Sequence, residues 1–246
     1  MSGSVSAMRA VQLTHRLLLR QLLTRGRVIA LLLLGGVTIL AAVGVAVSDE
    51  VEDTVVTTIE VIDGLGLVLV VPIVSLVFAS ASLGDGREDG TLVYLWLRPM
   101  DRLPVVVGAY LASITISLPL TVGPLAVAAA VGGAGGEGIT ATIVASVVGV
   151  LAYSALFVLL GLIVKNSIIW GLAYVLLWEG LFTQFSEAIG QAAVRGYLRA
   201  ILSDLSDVRL SDALDVSTTT AIIVAVAIAV VSTAIAAMRL DSMEIA

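Results

Sequence analysis

The chain has no cysteine, one histidine, one lysine and few aromatic residues, and each scarcity removes a class of chemistry. Without cysteine there are no disulfide staples, thiolate metal ligands or thiol nucleophiles, and the redox compartment is left open. With His15 alone, neither a histidine-pair zinc site nor a serine triad inside apolar helices has its parts. His15 reads as one member of a basic interfacial helix. Lys165 follows an apolar run instead of a glycine cradle, and no G-x-x-x-x-G-K-[ST] phosphate loop occurs, so the chain lacks that means of binding ATP. No metal or cofactor site and no nucleic-acid partner is expected of it. Charge is scarce as well, at 13% of residues against 59% hydrophobic.

That balance, with a mean hydropathy of +1.10, gives more apolar surface than a soluble domain could bury and implies a multispan membrane protein. Six apolar runs reach the roughly 20 helical residues that a hydrocarbon core of about 30 Å demands. They cover about 28–47, 61–83, 103–131, 139–164, 167–185 and 217–238. Their continuous apolarity favours helices over barrel strands, which would alternate. The third and fourth runs are long enough to need tilt or a break, and Pro119 and Pro124 in the third predict kinks. The first run begins after about 27 residues and lacks a convincing cleavage site, so it is expected to be retained as a span. The expected fold is a single all-helical transmembrane domain over 1–246.

The basic residues set an orientation. Arg9, Arg16, Arg20, Arg25 and Arg27 precede the first run; Arg87, Arg98 and Arg102 lie between the second and third; Lys165 separates the fourth and fifth; Arg239 follows the sixth. Only Arg195, Arg199 and Arg209 fall in the alternate loops. The positive-inside rule then places both termini in the cytoplasm of a cell-membrane protein. The external face receives Asp49, Glu50, Glu52, Asp53, Glu60 and Asp63, then Glu137, then Glu187, Asp204, Asp207, Asp212 and Asp215. The overall charge of −6 is therefore a poor guide to partners.

Two segments outside the runs are amphipathic. Over 8–25, Gln12, Arg16, Arg20 and Thr24 recur at helical spacing opposite Val11, Leu18 and Leu22, as in a helix lying in the cytoplasmic interface against lipid headgroups. Over 187–215, an external segment, the stripe Glu187, Gln191, Arg195, Arg199 and Ser203 opposes Ile189, Tyr197, Ile201 and Leu205. Either could be a solvated anchoring face and nothing more. The glycine-rich stretch 132–138 reads as a tight external turn.

The segment 84–102 is the one strongly polar stretch between long apolar runs that carries ordered chemistry. Glu88, Gly90-Thr91-Leu92, then apolar Leu95 and Leu97, then Pro99 and Arg102 resemble the E-x-G-T-L … P-x-x-R pattern in the first cytoplasmic loop of ABC-2-type permeases. The layout of an elbow helix, six spans and an external amphipathic hairpin is similar too, and covers nearly the whole chain. This sequence departs from the pattern in its glycine-rich, acidic lead (Gly84, Asp85, Gly86) and in bulky Tyr94 and Trp96. The resemblance implies that 84–102 is a coupling helix, with Leu92, Leu95 and Trp96 packing into a partner and Glu88, Arg98 and Arg102 fixing register. It further implies separate ATPase subunits carrying ATP and magnesium, a second permease subunit that is a copy or a paralogue, and export of an unspecified cargo. The bland alternative is an interfacial loop anchored by its aromatics.

Glu179, in Trp178-Glu179-Gly180, is the one acid deep within an expected span, where an ionisable group costs several kcal/mol unless paired or hydrated. Tyr153, Ser154, Thr115, Ser117 or an inward-reaching Arg195 are its candidate partners. A structural hydrogen bond, a pathway contact and a proton site all remain open for it. Two rival readings are a secondary, ion-coupled transporter, which calls for inverted repeats and several intramembrane acids, and a membrane anchor that recruits a cytoplasmic partner.

Overall fold

A computed structural model describes residues 6–90, 102–181, 191, 193–211 and 213–242, and among these all regular structure is helical. The chain forms α1 (Ala7–Leu22), α2 (Arg25–Val47), α3 (Thr54–Val61), a π-helical stretch π1 (Ile62–Val70), α4 (Val71–Glu88), α5 (Arg102–Gly132), α6 (Gly135–Ile163), α7 (Ser167–Ala173), a second π-helical stretch π2 (Tyr174–Glu179), α8 (Val194–Ser206) and α9 (Thr218–Asp241). Of the segments 84–102 and 187–215, residues 91–101, 187–190, 192 and 212 lie outside the described set, with Thr91, Leu92, Leu95, Trp96 and Pro99 among them.

Among the described residues, five helices are long and apolar enough to cross a membrane: Arg25–Val47, the continuous Thr54–Glu88, Arg102–Gly132, Gly135–Ile163 and Thr218–Asp241. The run expected over 167–185 instead starts as the shorter apolar helix Ser167–Glu179. The second run also begins earlier than its composition suggests. Asp53 accepts hydrogen bonds from the Val55 and Val56 amides at 3.0 and 3.1 Å and so caps a helix that starts at Thr54, in what reads as an acidic loop. Glu60 and Asp63 are therefore helical, which corrects their assignment to a loop.

Contacts between elements give the bundle two ends, conveniently named by Glu88 and Asp63. Arg27 meets Asp85 at 3.2 Å and Arg102 meets Asp241 at 3.7 Å, so α2 and α5 begin, and α9 finishes, at the Glu88 end. Thr58 donates to the Gly132 carbonyl at 2.6 Å, which puts the close of α5 at the Asp63 end. From there α6 runs parallel to α4. A methyl group at Gly149 would press on Val71 and Leu198, and one at Gly161 would sit 2.5 Å from the Ser80 carbonyl oxygen. Only glycine permits that second approach of two backbones. The core lies along this α4 and α6 contact, with Val74, Phe78, Tyr153, Phe157 and Leu162 fully enclosed. By contrast α2 and α9 bury only 28% and 33% of their apolar windows and stand at the periphery.

The N-terminal helix α1 buries Ala10, Thr14, Leu18 and Leu22, a stripe at spacing four. Thr14 closes on Gly108 of α5, and His15 Nε2 lies 3.1 Å from the Thr115 hydroxyl. His15 thus contacts α5 instead of merely adding basic charge to an interface.

Candidate functional site

Two groups of polar side chains occupy opposite ends of the helix Thr54–Glu88. At one end the π-helical stretch Ile62-Asp63-Gly64-Leu65-Gly66 turns Asp63 inward, where it is 4% exposed. Two glycines in five residues ease the departure from α geometry, and π-helical turns recur at functional positions in proteins. The second π-helical stretch, Tyr174–Glu179, ends on the other buried acid, Glu179, which is 2% exposed.

Helix α8 joins the two. Arg195 and Arg199 stand four residues apart on one face, and both reach Asp63. Arg199 forms a fork: its Nε donates to both carboxylate oxygens at 2.8 and 2.9 Å, and its Nη2 also meets Oδ2. Arg195 Nη2 lies 3.9 Å from the same Oδ2, while its Nη1 donates to the Glu179 backbone carbonyl at 3.3 Å. The Glu179 carboxylate accepts from the Tyr153 hydroxyl, from the Tyr174 hydroxyl at 2.8 Å and from the Val194 amide at 3.2 Å. Below it, Phe157 stacks on Tyr153 with centroids 5.8 Å apart and meets Tyr174 edge-on at 6.2 Å.

The arrangement brings together three of the residues singled out in the sequence, Glu179, Arg195 and Arg199, and corrects the setting of two. The arginine stripe of α8 faces the bundle, with side chains 13% and 16% exposed, and is not a solvated face. Of the candidate partners for Glu179, Tyr153 and Arg195 meet it, whereas Ser117 and Ser154 hydroxyls make no hydrogen bond among the described residues and Thr115 bonds to Leu111 and His15. Asp63, Tyr174 and the Val194 amide went unrecognised. Asp63 could have been found as an acid two residues past Val61 at the head of an apolar run, matched to two arginines in an otherwise apolar segment. Burial, then the like charge of Arg199, lowers the Arg195 pKa from its ordinary value, and Asp63 draws it back up.

The far end of α8 is tied as well. Asp204 accepts from the Thr218 hydroxyl at 2.6 Å and the Thr218 amide at 3.1 Å, at the start of α9. Those bonds, the hydroxyl first, hold its carboxyl below the ordinary range.

At the Glu88 end, α4 stops where Gly90 adopts φ +68°, a left-handed closure natural to glycine. The last helical residue, Glu88, turns its Oε1 to the Asn166 backbone amide, 2.7 Å away. Asn166 is itself left-handed at φ 54°, a conformation asparagine tolerates better than most residues. Arg102, at the other edge of the polar segment, pairs with Asp241. Glu88, Gly90 and Arg102 are thus placed, and two of them contact their own chain.

No protein-family model and no curated protein matches this chain.

Proposed function

We propose that the chain is a permease subunit of an ATP-driven exporter, resembling the ABC-2 type, and that separate ATPase subunits drive it through the segment 84–102. The observation that carries this reading is mechanical. Helix α4, whose last residue is Glu88, has its sequence from Val74 to Gly84 buried almost without interruption in the centre of the bundle. A partner that grips the polar segment leading out of α4 therefore holds the core, not a peripheral strand of chain. Two flexible loops at the rim would give no such purchase.

In this reading six spans cross the bilayer, both termini are cytoplasmic and the Glu88 end faces the cell interior. Its support is that Asn166 contacts Glu88 at one end while Val194 and Arg195 meet Glu179 and Asp63 at the other. The stretch between, opened by the apolar helix Ser167–Glu179, then serves as the fifth span. Helix α1 acts as the elbow at the inner interface, with Arg16 and Arg20 exposed for anionic headgroups. Helix α8 caps the outer end. A second permease subunit, a copy or a paralogue, completes the pathway, and ATP binding on the ATPases shifts it between inward-facing and outward-facing states. The sparse charge within the spans suits an apolar or amphipathic cargo better than a highly charged one.

The experiment is purification of the tagged full chain from its native membranes. A phosphate-loop ATPase is expected to copurify, and deletion of 92–97 is expected to release it while membrane insertion persists. Retention of the ATPase by the deletion variant would reject 84–102 as the segment it grips, and ATP-independent transport driven by an ion gradient would reject the exporter in favour of a secondary carrier.

A further inference from the structure

We propose that Glu88 is a positioning residue that fastens α4 to the turn ahead of α7, so that a displacement of α4 is passed along α7 and π2 to Glu179 and α8. This rests on the reading of 84–102 as the driven segment. The E-x-G-T-L resemblance assigns the Glu88 charge to the ATPase partner; the geometry bonds its carboxylate to the exposed turn at Asn166.

Three contacts at successive heights join α4 to α7. Glu88 Oε1 accepts from the Asn166 amide at 2.7 Å. One turn back, Gly84 stands opposite Ser167, whose hydroxyl would lie 3.3 Å from a methyl group placed there. Two turns further, Leu76 fills the space in front of Gly171, where a methyl group would collide with its side chain. The first contact is the one that fixes register. Packing of small residues allows sliding, whereas a hydrogen bond to a backbone amide specifies one residue pair.

Asn166 is suited to receive that bond. It occupies the capping position of α7, its own side chain makes no capping bond, and its backbone is left-handed. Helix α7 continues directly into π2, which ends at Glu179, and Glu179 is bonded to Val194 and Arg195 at the start of α8. The outer ends of both helices are in turn bridged by Arg195, which touches Asp63 as well as Glu179. Helices 54–88 and 167–179 are therefore fastened to one another at both ends and form one frame. Motion imposed beside Glu88 reaches the arginine pair of α8 through that frame without needing a contact from Glu88 to any partner.

Substitution by glutamine and by alanine separates the two roles, because glutamine keeps the Oε1 acceptor and discards the charge. Hydrogen exchange on the full chain in lipid nanodiscs should show the Asn166 amide exchanging about 10-fold faster in Glu88→Ala and less than about 3-fold faster in Glu88→Gln. Asn166→Gly, which keeps the amide and suits the backbone, should match the wild type. With Lys165→Cys as the sole thiol, the rate of modification by a charged maleimide in the complex with the copurifying ATPase should respond to ATP in wild type and Glu88→Gln, and lose that response in Glu88→Ala while the ATPase stays bound. Unchanged Asn166 exchange in Glu88→Ala would overturn the proposal, as would loss of the ATPase in Glu88→Gln, which marks a charge contact with the partner. If no ATPase copurifies and the wild type ignores ATP, the exporter reading fails and the relay with it; the tie from Glu88 to Asn166 is still judged by exchange.

Discussion

Removing the Asp63 carboxylate would leave Arg195 and Arg199 facing one another four residues apart, each mostly withdrawn from solvent. Breaking a buried ion pair by deleting one partner costs about 3–5 kcal/mol, most of it from the uncompensated charge left behind. Asp63→Ala is accordingly expected to destabilise the detergent-solubilised chain by that order. Arg199→Leu in the same background should recover a part, since it removes one of the two like charges that Asp63 meets and leaves an apolar side chain. A double-mutant cycle read by thermal unfolding decides the matter: strictly additive effects would mean the fork does not act as a pair. The residues of this site were unevenly legible. Glu179 stood out because an acid among apolar neighbours is costly unless paired or hydrated, and Tyr153 and Arg195 were among its foreseeable partners. Asp63 was hidden by its surroundings. It follows a cluster of acids that read as a loop, and the cap at Asp53 that turns this cluster into the start of a helix depends on a single side chain whose role hydropathy does not register.

At the scale of elements, the contact of α4 with α6 depends on what Gly161 lacks. Its missing side chain admits the Ser80 carbonyl oxygen to a position 2.5 Å from where a methyl group would sit, and a backbone atom cannot swing aside as a flexible side chain can. Gly161→Ala should therefore force the helices apart and cost about 1–3 kcal/mol, the usual toll of overpacking, measured as a lower unfolding temperature. Gly36, which meets nothing within 4 Å, is the matched control, and Gly36→Ala should be neutral or slightly stabilising. The tie from α8 to α9 has a pH signature. Asp204 has its folded pKa depressed by the Thr218 hydroxyl and amide, so its contribution is present above the unfolded carboxyl value of about 3.9 and is lost as pH falls through the lower folded value. Protection of the Thr218 amide from exchange, corrected for the intrinsic rate, should hold from pH 6 to about 4 and then decline. Asp204→Asn should flatten that decline, and identical profiles for the two proteins would assign the protection to some other group. Long apolar runs located, within a few residues, four of the five helices that are long and apolar enough to span among the described residues, because burial in hydrocarbon leaves a continuous signature. The segment 167–185 did not behave so simply. It is apolar up to Glu179, yet Ala173 passes into a π-helical stretch, and that change of hydrogen-bond register leaves no trace in residue type.

For the whole molecule, the question is which end faces the cell interior, and charge supplies a definite expectation. Glu52 and Asp215 lie exposed in connections that the contacts put at the Asp63 end, near Asp53 and Thr218, while Lys165 lies exposed beside Asn166 and Glu88 at the other. The Glu88 end also gathers Arg25, Arg27, Arg87, Arg102, Lys165 and Arg239, whereas the Asp63 end exposes mainly acids and pairs Arg195 and Arg199 internally. Basic residues near span ends resist translocation far more than acids do, so the Glu88 end should stay cytoplasmic. The absence of native cysteine makes this directly measurable, because any thiol introduced into the chain is the only one in it. Glu52→Cys and Asp215→Cys should react with a membrane-impermeant maleimide in intact cells, and Lys165→Cys only after permeabilisation. Reaction at Lys165→Cys from outside would invert the bundle and remove the cytoplasmic grip on α4. Reaction at Glu52→Cys but not at Asp215→Cys would mean that the chain fails to recross between Asn166 and Val194, which would leave five spans and break with the contacts that hold α8 against Asp63. Because Arg195 touches both Asp63 and Glu179, the two outer positions are expected to label together.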